Sequence, residues 1–261
     1  MAKRKKTITA GNLVLTTLAS MPLPRDPDYI RAEKSRCMSA ARARLNLKHS
    51  CQKLELLLGA NFNAADYYIT LSYDDDHLPS SREAAKKVIA KYIKQLRAHR
   101  RSRKQDLKYI YVTEGLHGSK RVHHHIIMNS CDDIDDIISL WIYGYVSHKH
   151  IDPRQYGDLA KYMTKEPRDG IPQHGKRCWT PSKNLDKPTM ESEIVSDDLV
   201  LVAPQGAIVL EREEHHTEFG EFIYIKYFLP DPPPRPLHRP RRTKNKVPYF
   251  LDLKQCISFR Q

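Results

Sequence analysis

Residues 108–130, KYIYVTEGLHGSKRVHHHIIMNS, decide how the rest of the chain is read. Tyr109 to Thr113 and Ile126 to Met128 are aromatic, aliphatic or β-branched, the composition that a pleated and half-buried backbone favours, and a glycine-containing connection separates them. The stretch predicts a β-hairpin whose second strand carries three consecutive histidines. Side chains two apart on a strand share a face, so His123 and His125 converge on one side while His124 points to the other. In the simplest register Glu114 stands opposite His123, and directly opposed residues share a face, so a carboxylate joins the two imidazoles. Two histidines and a glutamate form a donor set for a divalent cation that leaves positions open for water or a phosphate oxygen. His-x-His by itself fits a partly buried histidine cluster equally well.

The flanking segments extend this hairpin into a fold. YYITLSY (67–73) alternates between Asp and Pro boundaries and predicts a strand. Residues 82–104 predict a helix with Ala85, Val88, Ile89, Tyr92, Ile93 and Leu96 on one face and Lys and Arg on the other. After the hairpin, Ile134, Ile137, Ile138, Trp141 and Ile142 recur at helical spacing behind a run of Asp that suits a helix N-terminus. YGYVSHKHI (143–151) returns as a strand, and YGDLAKYMTKE (156–166) reads as a short helix ended by Pro167 and Gly170. The order strand, helix, hairpin, helix, strand, helix predicts an α+β architecture, an antiparallel sheet with helices on one side.

Upstream, residues 30–58 lack Pro and Gly and predict a basic helical arm that follows a basic, frayed start. Downstream, LVLVAPQGAIVLERE and EFIYIKYFL alternate and predict a further β-unit, and PDPPPRPLHRPRRTKNK (230–246) is an extended, Pro-rich and basic tail. The expected organisation is a basic helical arm over 1–64, a core over 65–188, a β extension over 189–229 and a tail over 230–261.

The charge balance restricts the partners. Lys and Arg number 44 against 31 Asp and Glu, a formal net charge of +13, which favours polyanions such as nucleic acid. No apolar run approaches the roughly 18 residues of a membrane span, and MAKRKK is followed by no signal core and cleavage site, so a cytoplasmic protein without membrane contact is expected. The five cysteines, Cys37, Cys51, Cys131, Cys178 and Cys256, are widely spaced with no CxxC pair, which fits a reduced compartment and no thiolate zinc site.

In the helix at 156–166, Tyr162 and Lys165 are three apart and share a face, with Asp158 four before Tyr162 on the same side. A tyrosine with the ordinary pKa of about 10 is a poor nucleophile and needs a nearby cation or base to attack phosphorus, which Lys165 is placed to supply. A packed tyrosine beside a solvated lysine is the plain alternative for Tyr-x-x-Lys alone.

Taken together, three motifs in order resemble the HUH endonucleases, and among them the rolling-circle replication initiators of small phages and plasmids: NFNAADYYITLSY, then VTEGLHGSKRVHHHIIM, then LAKYMTK. WIYGYV and CWTPSKNLDKP are similar to segments of the same group, so the resemblance spans roughly 30–229. It implies a central antiparallel sheet of about five strands, with His123 and His125 holding Mg²⁺ or Mn²⁺, Glu114 as third ligand, and Tyr162 as the nucleophile that nicks single-stranded DNA through a 5′-phosphotyrosine. Tyr156 is the first alternative nucleophile. Implied partners are single-stranded origin DNA and a host polymerase and helicase, with an oligomer as a further option.

Two departures stand out. The middle residue of the histidine motif is apolar in the family and is His124 here. Relatives with two active tyrosines carry Tyr where this chain has Asp158, which implies single-tyrosine chemistry; Asp158 then either activates water to end the reaction or serves the first turn of its helix. A transposase or relaxase would share this chemistry, although no GxxxxGK[ST] loop for a fused helicase occurs. A non-catalytic DNA-binding repressor would need neither tyrosine nor histidines, and a zinc hydrolase built on His-x-His would leave the tyrosine idle.

Overall fold

The computed structural model describes residues 2–21, 40–115, 121–131, 133–164, 179–217 and 220–230. In chain order the elements are β1 (Lys3–Ala10), β2 (Leu13–Ser20), α1 (Ala40–Asn61), β3 (Tyr67–Ser72), α2 (Arg82–Ser102), β4 (Tyr109–Glu114), β5 (His123–Met128), α3 (Ile134–Ser139), β6 (Val146–His150), α4 (Tyr156–Met163), β7 (Thr180–Pro181), β8 (Thr189–Val195), β9 (Ile208–Thr217) and β10 (Gly220–Phe228). They build two five-stranded antiparallel sheets, ordered β6-β3-β5-β4-β7 and β8-β1-β2-β10-β9.

The first of these is the expected central sheet, and the α+β class stands. β5 lies at its centre between β3 and β4, which is why its residues are buried from His124 to Met128. Because Ile127 faces one side and Ile126 and Met128 the other, both faces need cover. Helices therefore pack on both sides, not on the single side expected from the element order. On one face α2 and α3 bring Ala85, Ile89, Tyr92, Leu96 and Ile137 against Tyr67, Ile69, Leu71, Ile126 and Met128. On the other, α1 and α4 bring Leu54, Leu58, Tyr156, Ala160 and Met163 against Ile110, Val112 and Ile127.

α2 begins where Ser81 accepts a hydrogen bond from the Ala84 amide at 3.1 Å, with Glu83 in the first turn and basic residues in the last, as the helix dipole favours. Below it, Arg100 is fully buried, forking onto Asp133 at 2.7 and 3.0 Å and donating to Asn129, so the end of α2 is tied to the turn before α3.

The basic start is not frayed. Residues Lys3–Ala10 form β1, paired with β2 on one side and β8 on the other, and two of its lysines meet acids of other strands: Lys3 meets Glu221 at 2.6 Å and Lys5 meets Glu193 at 2.9 Å. A two-residue turn at Gly11 and Asn12 closes the hairpin; Gly11 has φ +60°, and a Cβ there would lie 2.3 Å from the Gly59 carbonyl oxygen of α1. The helix expected over 30–58 is observed as Ala40–Asn61, and its earlier part falls outside the described residues. It is no exposed arm, since Leu54 and Leu58 are fully buried in a core shared with Leu13 and Leu15 of the second sheet. The expected downstream β-unit is β9 and β10, joined by β8 and completed by the N-terminal hairpin. The tail from residue 231 onward lies outside the described residues. No helix among the described residues is long and apolar enough to cross a membrane.

Candidate metal centre and tyrosine cleft

The hairpin register pairs Glu114 with His123 and Val112 with His125, so the local alternation of β4 and β5 places Glu114, His123 and His125 on one face at the end of the strands next to their connecting loop. Their ligand atoms all lie within 4.8 Å of one another. Glu114 Oε2 stands 3.8 Å from His123 Nε2 and 3.9 Å from His125 Nε2, so both ring nitrogens are directed toward the carboxylate.

The opposite ring nitrogens are held. His123 Nδ1 donates to the Arg121 carbonyl at 2.8 Å, which fixes that tautomer and leaves the Nε2 lone pair toward Glu114. His125 Nδ1 lies 2.8 Å from Tyr68 Oη and 3.1 Å from Thr70 Oγ1, both on the neighbouring strand β3. With its proton on Nδ1, His125 likewise presents Nε2. Orienting bonds of this kind accompany metal-binding histidines generally, and the donor set of two imidazoles and a carboxylate suits a divalent cation. Glu114, His123 and His125 are thus a candidate metal-binding triad.

His124 takes the other face. It is fully buried, with Nε2 2.7 Å from Tyr73 Oη and Nδ1 2.8 Å from Thr113 Oγ1. Desolvation first, then the neighbouring His123 and His125, push its pKa down to about 3. In the middle position of the motif it serves as a neutral, two-ended hydrogen-bonding core residue.

α4 lies against the face that carries the candidate triad. Its buried side, Tyr156, Ala160 and Met163, seats it on the core and turns Tyr162 toward β5. Tyr162 Oη is 3.1 Å from His125 Nε2, and the two rings meet edge to face at 5.0 Å. Burial and then the Glu114 carboxylate raise the Tyr162 pKa above its ordinary value, so the phenol is protonated at neutral pH when no cation is beside it. Tyr156 is buried, and its hydroxyl donates to the Phe62 carbonyl inside the core. Asp158 is exposed and pairs with Lys161 at 3.5 Å in the first turn of α4. Lys165 lies outside the described residues.

Beside Tyr162 opens a cleft of about 390 Å³, lined also by Tyr68, Lys149, Asp152, Asp158 and Leu159. Lys149 and Tyr68 carried no signal in the linear pattern, because only the pairing of β3 with β6 sets them side by side. The Lys and Arg face expected for 82–104 projects from α2, a helix on the opposite side of the sheet.

Among known proteins, no curated sequence and no solved structure matches this chain. Residues 66–167 match a family model of replication-associated proteins of the ORF2 type, a stretch that runs from the start of β3 to just past α4 and contains Glu114, His123, His125, Asp158, Tyr162 and Lys165. Over the part of the chain that builds the triad and the tyrosine cleft, this protein is therefore similar to replication-associated proteins, which supports a role as a replication initiator.

Proposed function

We propose that this chain is a metal-dependent endonuclease of the HUH type that nicks single-stranded DNA at an origin and rejoins strands, starting rolling-circle replication of a phage or plasmid. The observation that carries the reading is the 3.1 Å approach of Tyr162 Oη to His125 Nε2, a would-be ligand atom of the triad. Tyr162 packs against the core and directs its hydroxyl at the candidate triad, where a nucleophile acting on phosphorus would have to lie.

His123, His125 and Glu114 would hold Mg²⁺ or Mn²⁺, which when bound polarises the scissile phosphate and offsets the charge that builds on it. Tyr162 Oη loses its proton and attacks phosphorus in line; the bond to the 3′ oxygen breaks, that oxygen takes up a proton, and the 5′-phosphate remains esterified to the tyrosine. One phosphodiester is exchanged for another, so the reverse attack by a 3′-OH rejoins strands without ATP. A host polymerase and helicase would then extend from the free 3′-OH. Lys165, three positions after Tyr162 in the sequence, is the residue assigned to lowering the barrier to phenol ionisation. The exposure of Asp158 and its pairing with Lys161 fit service to the helix start.

Incubation of the purified chain with single-stranded origin DNA and Mn²⁺, followed by a denaturing gel, tests the reading. A protein-linked DNA band is expected, absent with Tyr162→Phe although that variant still binds the DNA. Adduct of normal yield from Tyr162→Phe would refute the assignment of the nucleophile, and no adduct from the wild-type chain would refute the enzyme.

A further inference from the structure

The triad and Tyr162 account for one phosphate, the scissile one, and the cleft beside them holds a cation they do not use. β6 is the edge strand of the central sheet, and its register on β3 sets Lys149 opposite Tyr68 and Ser147 opposite Thr70. Tyr68 and Thr70 are the partners of His125 Nδ1, so Lys149 emerges on the metal face. Its ammonium sits over the Tyr68 ring, 5.2 Å from the centroid, and that ring stacks on His125 at 5.5 Å and 13°. Lys149, Tyr68, His125 and Tyr162 thus form one continuous row, of which Lys149, Tyr68 and Tyr162 line the cleft.

Each carboxylate of the cleft already has its own cation. Asp152 accepts from Arg154 at 3.2 Å and Asp158 pairs with Lys161 at 3.5 Å, whereas no carboxylate among the described residues lies within 4.0 Å of Lys149 Nζ. A lysine held by a ring, exposed on an edge strand and paired with no carboxylate among the described residues, is placed to receive an anion from outside. A strand edge leaves that side of the cleft of about 390 Å³ open for a chain to run through.

We propose that Lys149 is a phosphate-binding residue that grips a phosphodiester of the single strand next to the one cleaved, so that the scissile phosphate is presented to Tyr162 in register. Tyr68 separates Lys149 from His125, so the phosphate it holds is a neighbour of the scissile one. This assignment rests on the nuclease reading, and its test has one arm that does not depend on it.

In that arm, binding of a fluorescein-labelled oligothymidylate of about 20 nucleotides, longer than the ~4–16 that a single-strand groove covers, is measured in EDTA across a range of NaCl. Lys149→Gln is expected to lower the slope of log K against log salt by about 0.7, the share of one phosphate contact on a single strand, and Lys149→Arg to restore it. An unchanged slope in Lys149→Gln overturns the proposal whether or not the chain is a nuclease. In the second arm, a strand that the wild-type chain cleaves is recovered from a randomised single-stranded pool as its covalent adduct. Its phosphates are then replaced one at a time by neutral methylphosphonate. One replacement beside the cut is expected to weaken binding to the wild type and to have no effect on Lys149→Gln. Lys149→Gln remaining sensitive at every position near the cut, or losing its sensitivity only far from it, overturns the placement. A pool that yields no wild-type adduct counts against the nuclease reading, and the oligothymidylate slope still decides Lys149.

Discussion

His124→Gln should flatten the acid dependence of stability. In the fold, burial and the adjacent His123 and His125 keep His124 neutral down to about pH 3, whereas an unfolded chain protonates it near the ordinary value of 6.5. The unfolded state therefore takes up the proton first as pH falls. The stability owed to this difference is complete above pH 6.5 and is lost progressively toward pH 3, at up to about 1.4 kcal/mol per pH unit. Between pH 6 and pH 4 the loss amounts to about 2.5 kcal/mol, a sizeable share of the roughly 5–15 kcal/mol typical of a domain. Glutamine keeps a donor and an acceptor for Tyr73 and Thr113 and does not titrate, so its packing cost is a constant offset. Urea unfolding in EDTA, followed by tryptophan fluorescence, provides the assay, with Trp141 positioned edge-on to His124 at 6.0 Å as a reporter. Groups common to both chains cancel in the difference. Parallel pH profiles for wild type and His124→Gln would refute the reasoning and mean that His124 protonates in the folded protein as it does in water.

The hydroxyls behind His125 should set metal affinity: Tyr68→Phe with Thr70→Val is expected to weaken Mn²⁺ binding about 10–100-fold by calorimetry, and Tyr68→Phe alone to cost less because Thr70 remains at 3.1 Å. Undiminished Mn²⁺ affinity in the double variant would remove the hydroxyls from any orienting role. Lys226 bridges buried Glu55 at 3.0 Å and Glu211 at 2.8 Å, so Lys226→Met leaves a carboxylate unpaired and should cost about 3–5 kcal/mol in urea unfolding, most of it recovered when Glu55→Gln is added. Failure of Glu55→Gln to rescue would show that the cost is packing, not charge. Asp158→Asn should leave release of the covalent adduct unchanged, given its ion pair with Lys161; accumulation of adduct would instead make Asp158 the base that activates water.

What was legible in the linear chain was local. Strand alternation separates His123 and His125 from His124 within a few residues, and the hairpin connection sets Glu114 opposite His123 without help from the rest of the fold. The amphipathic pattern of 82–104 was readable for the same reason, since helix periodicity needs only the segment itself. The approach of Tyr162 to His125 is not local. It depends on α4 seating Tyr156, Ala160 and Met163 in a core that α1 and both sheets supply.

The basic N-terminus is a strand and not a frayed end because two of its charges have partners far away in the chain. Lys5 meets Glu193 across 188 positions of chain, a pairing that no local pattern reveals. Helices occupy both faces of the sheet because β5 is apolar on both sides, and that became visible only once β5 was central. Lys149 and Tyr68 meet because an edge strand returns to β3 in one register among several that the alternation would allow. Residue periodicity determines which face a side chain takes within its own element, and it acts through bonds a few residues long. Which faces then meet is chosen by burial over the whole molecule, so the face of the hairpin that carries the candidate triad was written in the sequence, and the tyrosine and the lysine beside it were supplied by the tertiary fold.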